Sequence, residues 1–228
     1  MNLLKALVAT GKPVVLVLFN GRPMTLNWEA ENVPAILDVW FGGSETADAV
    51  ADVIFGDVNP SGKLTMCFPK NVGQIPLYYA AKNTGRPLLE GRWFEKFRSN
   101  YLDVDNDPLY PFGYGLSYTT FEYSPVTISA TEVGKGGSLT AEVTVTNTGK
   151  VAGKEVVQMY LQDVVGSTTR PLRELKGFEK VALEPGESKT VTFEITPELM
   201  SHYNSNLEFV AEPGEFIVSV GPDSLTKN

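Results

Sequence analysis

Apolar residues follow different rules in the two halves of this chain. Near the N-terminus they fall at helical spacing or in unbroken runs. From Phe121 onward they alternate with polar residues. Leu3, Leu4, Leu7 and Val8 share one helical face, and Gly11 is placed to end that helix. The run from Val14 to Phe19 has no polar alternation, the pattern of a strand covered on both faces in a parallel sheet. Asn20-Gly21-Arg22-Pro23 reads as a turn, Trp28 to Asn32 as a short helix and Ala35 to Trp40 as a second buried strand. Ser44 is positioned to N-cap a helix with Ala47, Val50, Ala51 and Ile54 on one face, which Gly56 ends. A turn at Asn59-Pro60-Ser61-Gly62 and a third strand from Leu64 to Phe68 follow. This order predicts an α/β layer with right-handed crossovers. Three strands are fewer than the roughly five or six of an ordinary sheet, so the layer reads as truncated on its N-terminal side.

Residues from about 69 to 107 show little periodicity, and so long a loop usually acts or wraps a neighbour. The stretch from Pro108 to Phe121 then packs aromatics between prolines and glycines and reads as a rigid plug between two domains. Beyond it, Leu139, Ala141, Val143 and Val145 alternate with Thr140, Glu142, Thr144 and Thr146. Val157, Met159 and Leu161 share a face, as do Val191, Phe193 and Ile195, and Phe216, Val218 and Val220. Gly136-Gly137, Asn147-Thr148-Gly149, Glu184-Pro185-Gly186 and Glu212-Pro213-Gly214 separate these runs. The pattern predicts an immunoglobulin-like or fibronectin type III sandwich of roughly seven strands. The expected fold is α/β plus all-β, divided as residues 1–118 and 119–228.

Charge narrows the partners. A net charge of -8 argues against nucleic acid and anionic membrane, and no apolar run reaches membrane-spanning length. Residues Met1 to Thr10 read as a helix, not a signal peptide. Cys67 and His202 are each the only residue of their type, which argues against an internal disulfide, a zinc site or a histidine triad. Cys67 is expected as a buried, inert thiol, and His202 as a structural or exposed residue.

Several constellations invite chemistry. Gly42-Gly43-Ser44 lies between strand and helix but lacks the features of a phosphate loop, and a tight turn explains it. Asp103, Asp105 and Asp107 match the start of a calcium loop. Pro108 and Tyr114 then break the motif, so an acidic loop without a metal is expected. Glu29, Glu31, Asp38 and Glu45 gather around strand ends, and paired carboxylates are what glycoside hydrolysis needs. Glu45 is also explained by the helix dipole. Asn83, Arg86, Arg92, Trp93 and Arg98, with nearby tyrosines, mix aromatic faces and hydrogen-bond donors. Sugars suit that mixture, and so does packing between domains. No cofactor is called for.

Longer motifs carry a resemblance. Lys12 to Leu18 with Gly21-Arg22-Pro23, Trp40 to Glu45 and Ala51 to Leu64 resemble the second domain of glycoside hydrolase family 3. Pro111-Phe112-Gly113-Tyr114-Gly115-Leu116-Ser117-Tyr118-Thr119 resembles the family's signature at the end of that domain. Val157 to Leu161 and Arg170 to Phe178 resemble its fibronectin-like domain. Gly73-Gln74-Ile75-Pro76 and Asn83-Thr84-Gly85-Arg86-Pro87 narrow the likeness to the bacterial periplasmic β-glucosidase type. Thr46-Ala47-Asp48 departs from it, standing where members carry paired glycines. The resemblance implies a C-terminal fragment of a retaining β-glucosidase, periplasmic or secreted, acting on β-glucosides or oligosaccharides. It also implies that the barrel with the Asp nucleophile, and the segment with the acid/base Glu, lie outside these residues. No catalytic residue is therefore assigned here. Asn83, Arg86, Trp93 and Arg98 are the candidates for the rim of the sugar site. Without its barrel such a chain is expected to be inactive and prone to self-association. The alternative is a carbohydrate-binding or interaction module without catalysis.

Overall fold

The computed structural model describes residues 1–89 and 91–226. Its N-terminal part runs α1 (Asn2–Val8), β1 (Val15–Leu18), α2 (Asn27–Asn32), β2 (Ala35–Asp38) and α3 (Thr46–Phe55). Strands β1 and β2 pair in parallel, Val15 opposite Ala35 through Leu18 opposite Asp38. Gly56 ends α3 with φ +86°, a left-handed cap that glycine adopts without strain.

Three local expectations need correction. Ser44 does not cap α3. Glu45 occupies that position without a side-chain hydrogen bond, while the Thr46 hydroxyl donates to the Gly43 carbonyl. The segment Leu64 to Phe68 is not a third strand of the layer. It turns instead to the later aromatic stretch, with an isolated bridge between Phe68 and Tyr110 and amide bonds from Leu64 to Tyr114 and from Gly113 to Leu64. Nor are the apolar strands covered on both faces. Val15 is exposed, its three strand neighbours are half-buried, and neither α1 nor α3 has a buried residue. Phe41 and Phe55 are more than four-fifths exposed. Two short strands supply too little neighbouring surface to cover the residues that the pattern marks as apolar.

The C-terminal part is a β-sandwich. One sheet holds β3 (Phe121–Tyr123), β4 (Thr127–Ile128), β5 (Leu139–Asn147) and β8 (Ser188–Ile195). Strand β5 pairs with β3 and β4 on one edge and with β8 on the other. The facing sheet has the order β11 (Phe216–Gly221), β6 (Gly153–Asp163), β7 (Glu174–Leu183). A short helix α4 (Pro197–Met200) and a two-stranded ribbon, β9 (His202–Tyr203) with β10 (Phe209–Val210), lie between β8 and β11. The alternating residues Ala141, Val143, Val145, Val181, Leu183, Val191 and Ile195 meet Val157, Met159, Phe193 and Val220 in one buried core. Period-two patterning thus places one face of each strand inside.

The two parts are bolted together along β6. Gln158, also buried, donates to the carbonyls of Gly113 and Pro222 and accepts from the Tyr160 hydroxyl. Gly113 has φ +83°, and a Cβ there would strike the Gln158 amide, so glycine is required on two counts. Asn59 bonds Ala152, Ser117 and the Tyr118 amide, while the Tyr118 hydroxyl reaches the Val53 carbonyl in α3. Below them, Lys63 meets the buried Glu155 at 3.0 Å, and the Tyr123 hydroxyl donates to the same carboxylate at 2.9 Å.

Removing one partner of that pair leaves a buried charge. Glu155→Ala should cost about 3–5 kcal/mol in urea denaturation, and the double replacement K63M/E155L should recover most of it. Burial, with the adjacent Glu155 carboxylate, pushes the Tyr123 phenol above its usual range. A raised folded pKa stabilises below the unfolded value, here about 10, and that contribution is lost as pH rises beyond it. Wild-type stability should therefore fall more steeply above pH ~10 than that of Tyr123→Phe.

Candidate functional site

Two surfaces of the N-terminal part concentrate polar and aromatic groups. The first lies beyond the C-terminal ends of β1 and β2, where ligands of open parallel sheets commonly bind. Phe19, Asn20, Gly21, Trp40, Phe41 and Gly42 line a crevice of about 260 Å³. Trp40 has φ +53°, unusual for a bulky side chain, and its ring packs edge-on against Phe68 at 5.7 Å. Beside the crevice, Asn20 Oδ1 and Asp38 Oδ2 are buried without a hydrogen-bond partner among the described residues. Desolvation pushes the Asp38 carboxyl above the usual carboxylate range, although its other oxygen accepts from the Trp40 amide. Polar atoms in this state await partners that these residues do not supply.

The second surface is the long loop, which projects as an arm and carries the four candidate rim residues. Its base is fixed by the 3-10 turn Val72–Gln74 and its capping box. Buried Gln74 accepts from the amides of Lys70 and Asn71 and donates to the carbonyls of Asp105 and Asp107. Lys70 grips both oxygens of Asp105 at 2.8 Å. The acidic run Asp103 to Asp107 is therefore partly neutralised by a lysine. Among the described residues no cluster of three metal-ligating side chains occurs.

The arm brings Arg86 and Arg98 onto neighbouring strands of chain. The Ser99 amide donates to the Arg86 carbonyl, and Arg98 Nη1 donates to Pro87 O at 3.3 Å. The Arg98 guanidinium also contacts Glu95 at 3.4 Å and is largely committed within the arm. Trp93 lies in the segment joining them, 59 % exposed, its ring tilted against Phe94. Asn83 is apart from them, exposed beside the bridge from Lys82 to Pro171 that ties the arm to the sandwich. Tyr79 stacks on Phe112 at 4.1 Å and meets Tyr160 edge-on, so this tyrosine is an inter-domain contact.

The acidic residues near strand ends are spread over three elements. Glu29 is buried in α2, Asp38 ends β2, and Glu45 is at the start of α3. Cys67 is buried, and desolvation raises its thiol. The importance of Gln74 was legible in principle, since Asn71-Val72-Gly73-Gln74 has the spacing of a capping box. The orphaned oxygens of Asn20 and Asp38 have no such sequence signal.

The anchor makes a direct prediction. Gln74→Leu would strand two amides and two carbonyls, so it should cost about 2 kcal/mol or more and speed proteolytic cleavage within residues 77–103. Cleavage at the wild-type rate would show that the arm is held by other contacts.

Comparison with known proteins completes the picture. The model of the glycosyl hydrolase family 3 C-terminal domain matches residues 1–118, and a fibronectin type III-like domain matches residues 155–224. A periplasmic beta-glucosidase of Salmonella typhimurium is 55% identical over 98% of this chain, which spans 29% of that protein. A beta-xylosidase of Formosa agariphila is 50% identical over 98% of the chain and 30% of its own length. A crystal structure of beta-glucosidase from Listeria innocua in complex with isofagomine superimposes with a TM-score of 0.93 at 51% identity, covering 99% of this chain and 31% of that one.

Proposed function

This chain belongs to glycosyl hydrolase family 3, and from that premise we propose that it is the C-terminal part of a retaining β-glucosidase. The observation that carries the proposal is the apolar α/β layer, patterned for burial yet exposed at Phe19, Phe41 and Phe55. A barrel domain docked there would cover those rings. The relatives support it, since the chain spans only about 30% of each. The division at 118/119 is supported by the end of the first family match. A periplasmic location rests on the named location of the Salmonella relative.

On this reading the chemistry uses two carboxyl groups. One attacks the anomeric carbon to form a glycosyl-enzyme intermediate. The other protonates the leaving oxygen and later activates water. Neither role falls on an Asp or Glu of these residues. The crevice and the arm contribute scaffold and the rim of the sugar site, with Trp93 as an apolar face, Arg86 and Arg98 as its polar neighbours and Asn83 elsewhere on the arm. Between glucosides and the xylosides named for one relative, we favour glucosides because the periplasmic-type motifs are shared. Without the barrel, the exposed layer would drive self-association.

The test is expression with and without the coding sequence upstream of Met1. The extended protein should hydrolyse an aryl β-glucoside, and the 228-residue chain should not. Turnover by the shorter chain would overturn the assignment of chemistry to the missing part. In the extended enzyme, Trp93→Ala should raise KM for cellobiose by about tenfold, a loss of ~1.4 kcal/mol, with kcat changed much less. An unchanged KM would remove Trp93 from the rim.

A further inference from the structure

A second concave surface lies on the sandwich. Arg170, Glu174, Lys176, Ser201, His202 and Tyr203 line a groove of about 410 Å³, with Glu198, Leu199 and Phe209 completing it. Its size falls within the range of small-molecule sites, about 300–1,000 Å³. Strand β7 places Glu174 and Lys176 two residues apart on one face, while the β9–β10 ribbon sets Tyr203 directly opposite Phe209. Those two rings lie 5.1 Å apart, and both are at least half-exposed. Two large aromatic faces in water beside a polar groove are more than the core of the sandwich requires.

Its charges exclude two classes of ligand. Arg170 and Lys176 balance Glu174 and Glu198, and Glu174 already contacts both cations, at 2.7 and 3.6 Å. Asp163 and Glu212 stand behind the groove, each 3.9 Å from a nitrogen of His202. An anion would meet as much negative as positive charge. No group of three metal-ligating side chains occurs among the described residues, which argues against a cation. The groove therefore suits a neutral molecule with hydroxyl groups and an apolar face.

His202 borders the groove from the buried side of its strand. The residue is 3 % exposed and lines the groove, yet neither ring nitrogen has a hydrogen-bond partner among the described residues. Distances of 3.9 Å to the flanking carboxylates are too long for hydrogen bonds. Both nitrogens are themselves closed to solvent, so the imidazole supplies no hydrogen bond to a molecule in the groove.

We propose that this groove binds a pyranose unit of a short neutral oligosaccharide, with the sugar face on the Tyr203–Phe209 pair and hydroxyls on Lys176 and Glu174. The proposal stands apart from the assignment of hydrolysis, because nothing in it requires a barrel or a catalytic carboxylate. The test is titration of the isotope-labelled 228-residue chain with cellobiose, read as amide chemical-shift changes. Saturable shifts confined to residues near Ser201, Tyr203, Phe209 and Lys176 are expected, with a Kd on the order of 1 mM. Tyr203→Ala should weaken binding at least about tenfold, whereas Tyr203→Phe should keep most of it. If Y203A loses its fold, Phe209→Ala is read in its place. Absence of saturable shifts in the wild type, or equal binding by the alanine variants, would overturn the proposal. So would inorganic phosphate producing the same shifts, since that would mark an anion site. Failure of hydrolysis by the extended protein would leave these outcomes unaffected.

Discussion

Glu155 carries a carboxylate into a place where only 4 % of the residue meets solvent. Burying that charge alone would cost more than any neighbouring contact returns. Lys63 and Tyr123 make it tolerable, and they come from different places in the chain: Lys63 from the segment after α3, and Tyr123 from the first strand of the sandwich. The sandwich can therefore bury this end of β6 only when the segment around Lys63 is docked. Gly113 against Gln158 repeats the logic nearby with neutral groups, since the amide of Gln158 is satisfied by carbonyls on both sides of the joint. The joint is specified by polar groups that have no acceptable alternative, more than by apolar area.

That joint also explains how so thin an α/β layer holds its shape. A parallel pair of four-residue strands with helices of seven and ten residues has little independent stability. It is tied instead at its far side: the Tyr118 hydroxyl to Val53 in α3, Asn59 to the sandwich, Asn27 to Lys70 at the arm's base. Its other faces carry apolar rings into solvent. A surface of that kind is stable in water only when something covers it, which is the physical content of assigning a missing domain to it.

Much of this was readable from patterning. Alternation gave the sandwich strands their inward faces, and continuous apolar runs gave β1 and β2 their places. Two of the errors share one cause. Ser44 had the right chemistry for a cap and Leu64 to Phe68 the right composition for a strand, but local preference does not say which neighbour a segment will meet. Leu64 to Phe68 found the stretch from Tyr110 to Tyr114. The ends of the chain's contacts were equally hidden: nothing local marks Lys63 as the partner of a glutamate 92 residues later. His202 was expected to be structural or exposed, and it is buried. That both its nitrogens would be buried beside a groove is a tertiary fact with no sequence signature.

A domain without catalytic carboxylates can still set the rate of a hydrolase, because misplacing a substrate contact by about 1 Å can cost about a hundredfold. The arm is held by Gln74 and Lys70. Phe68, two residues before Lys70, packs on Tyr110, and the same aromatic stretch is locked to β6 through Gly113 and Gln158. Each link is a hydrogen bond, an ion pair or a ring contact. The Lys82–Pro171 bridge closes it into a loop by fastening the arm to the sandwich a second time. A ring of fixed contacts constrains position better than a single tether does. The sandwich thereby helps to hold the base of the arm that carries Trp93. Under the rim role proposed for Trp93, loosening Gln158 should disturb substrate binding through the arm before it disturbs the chemistry.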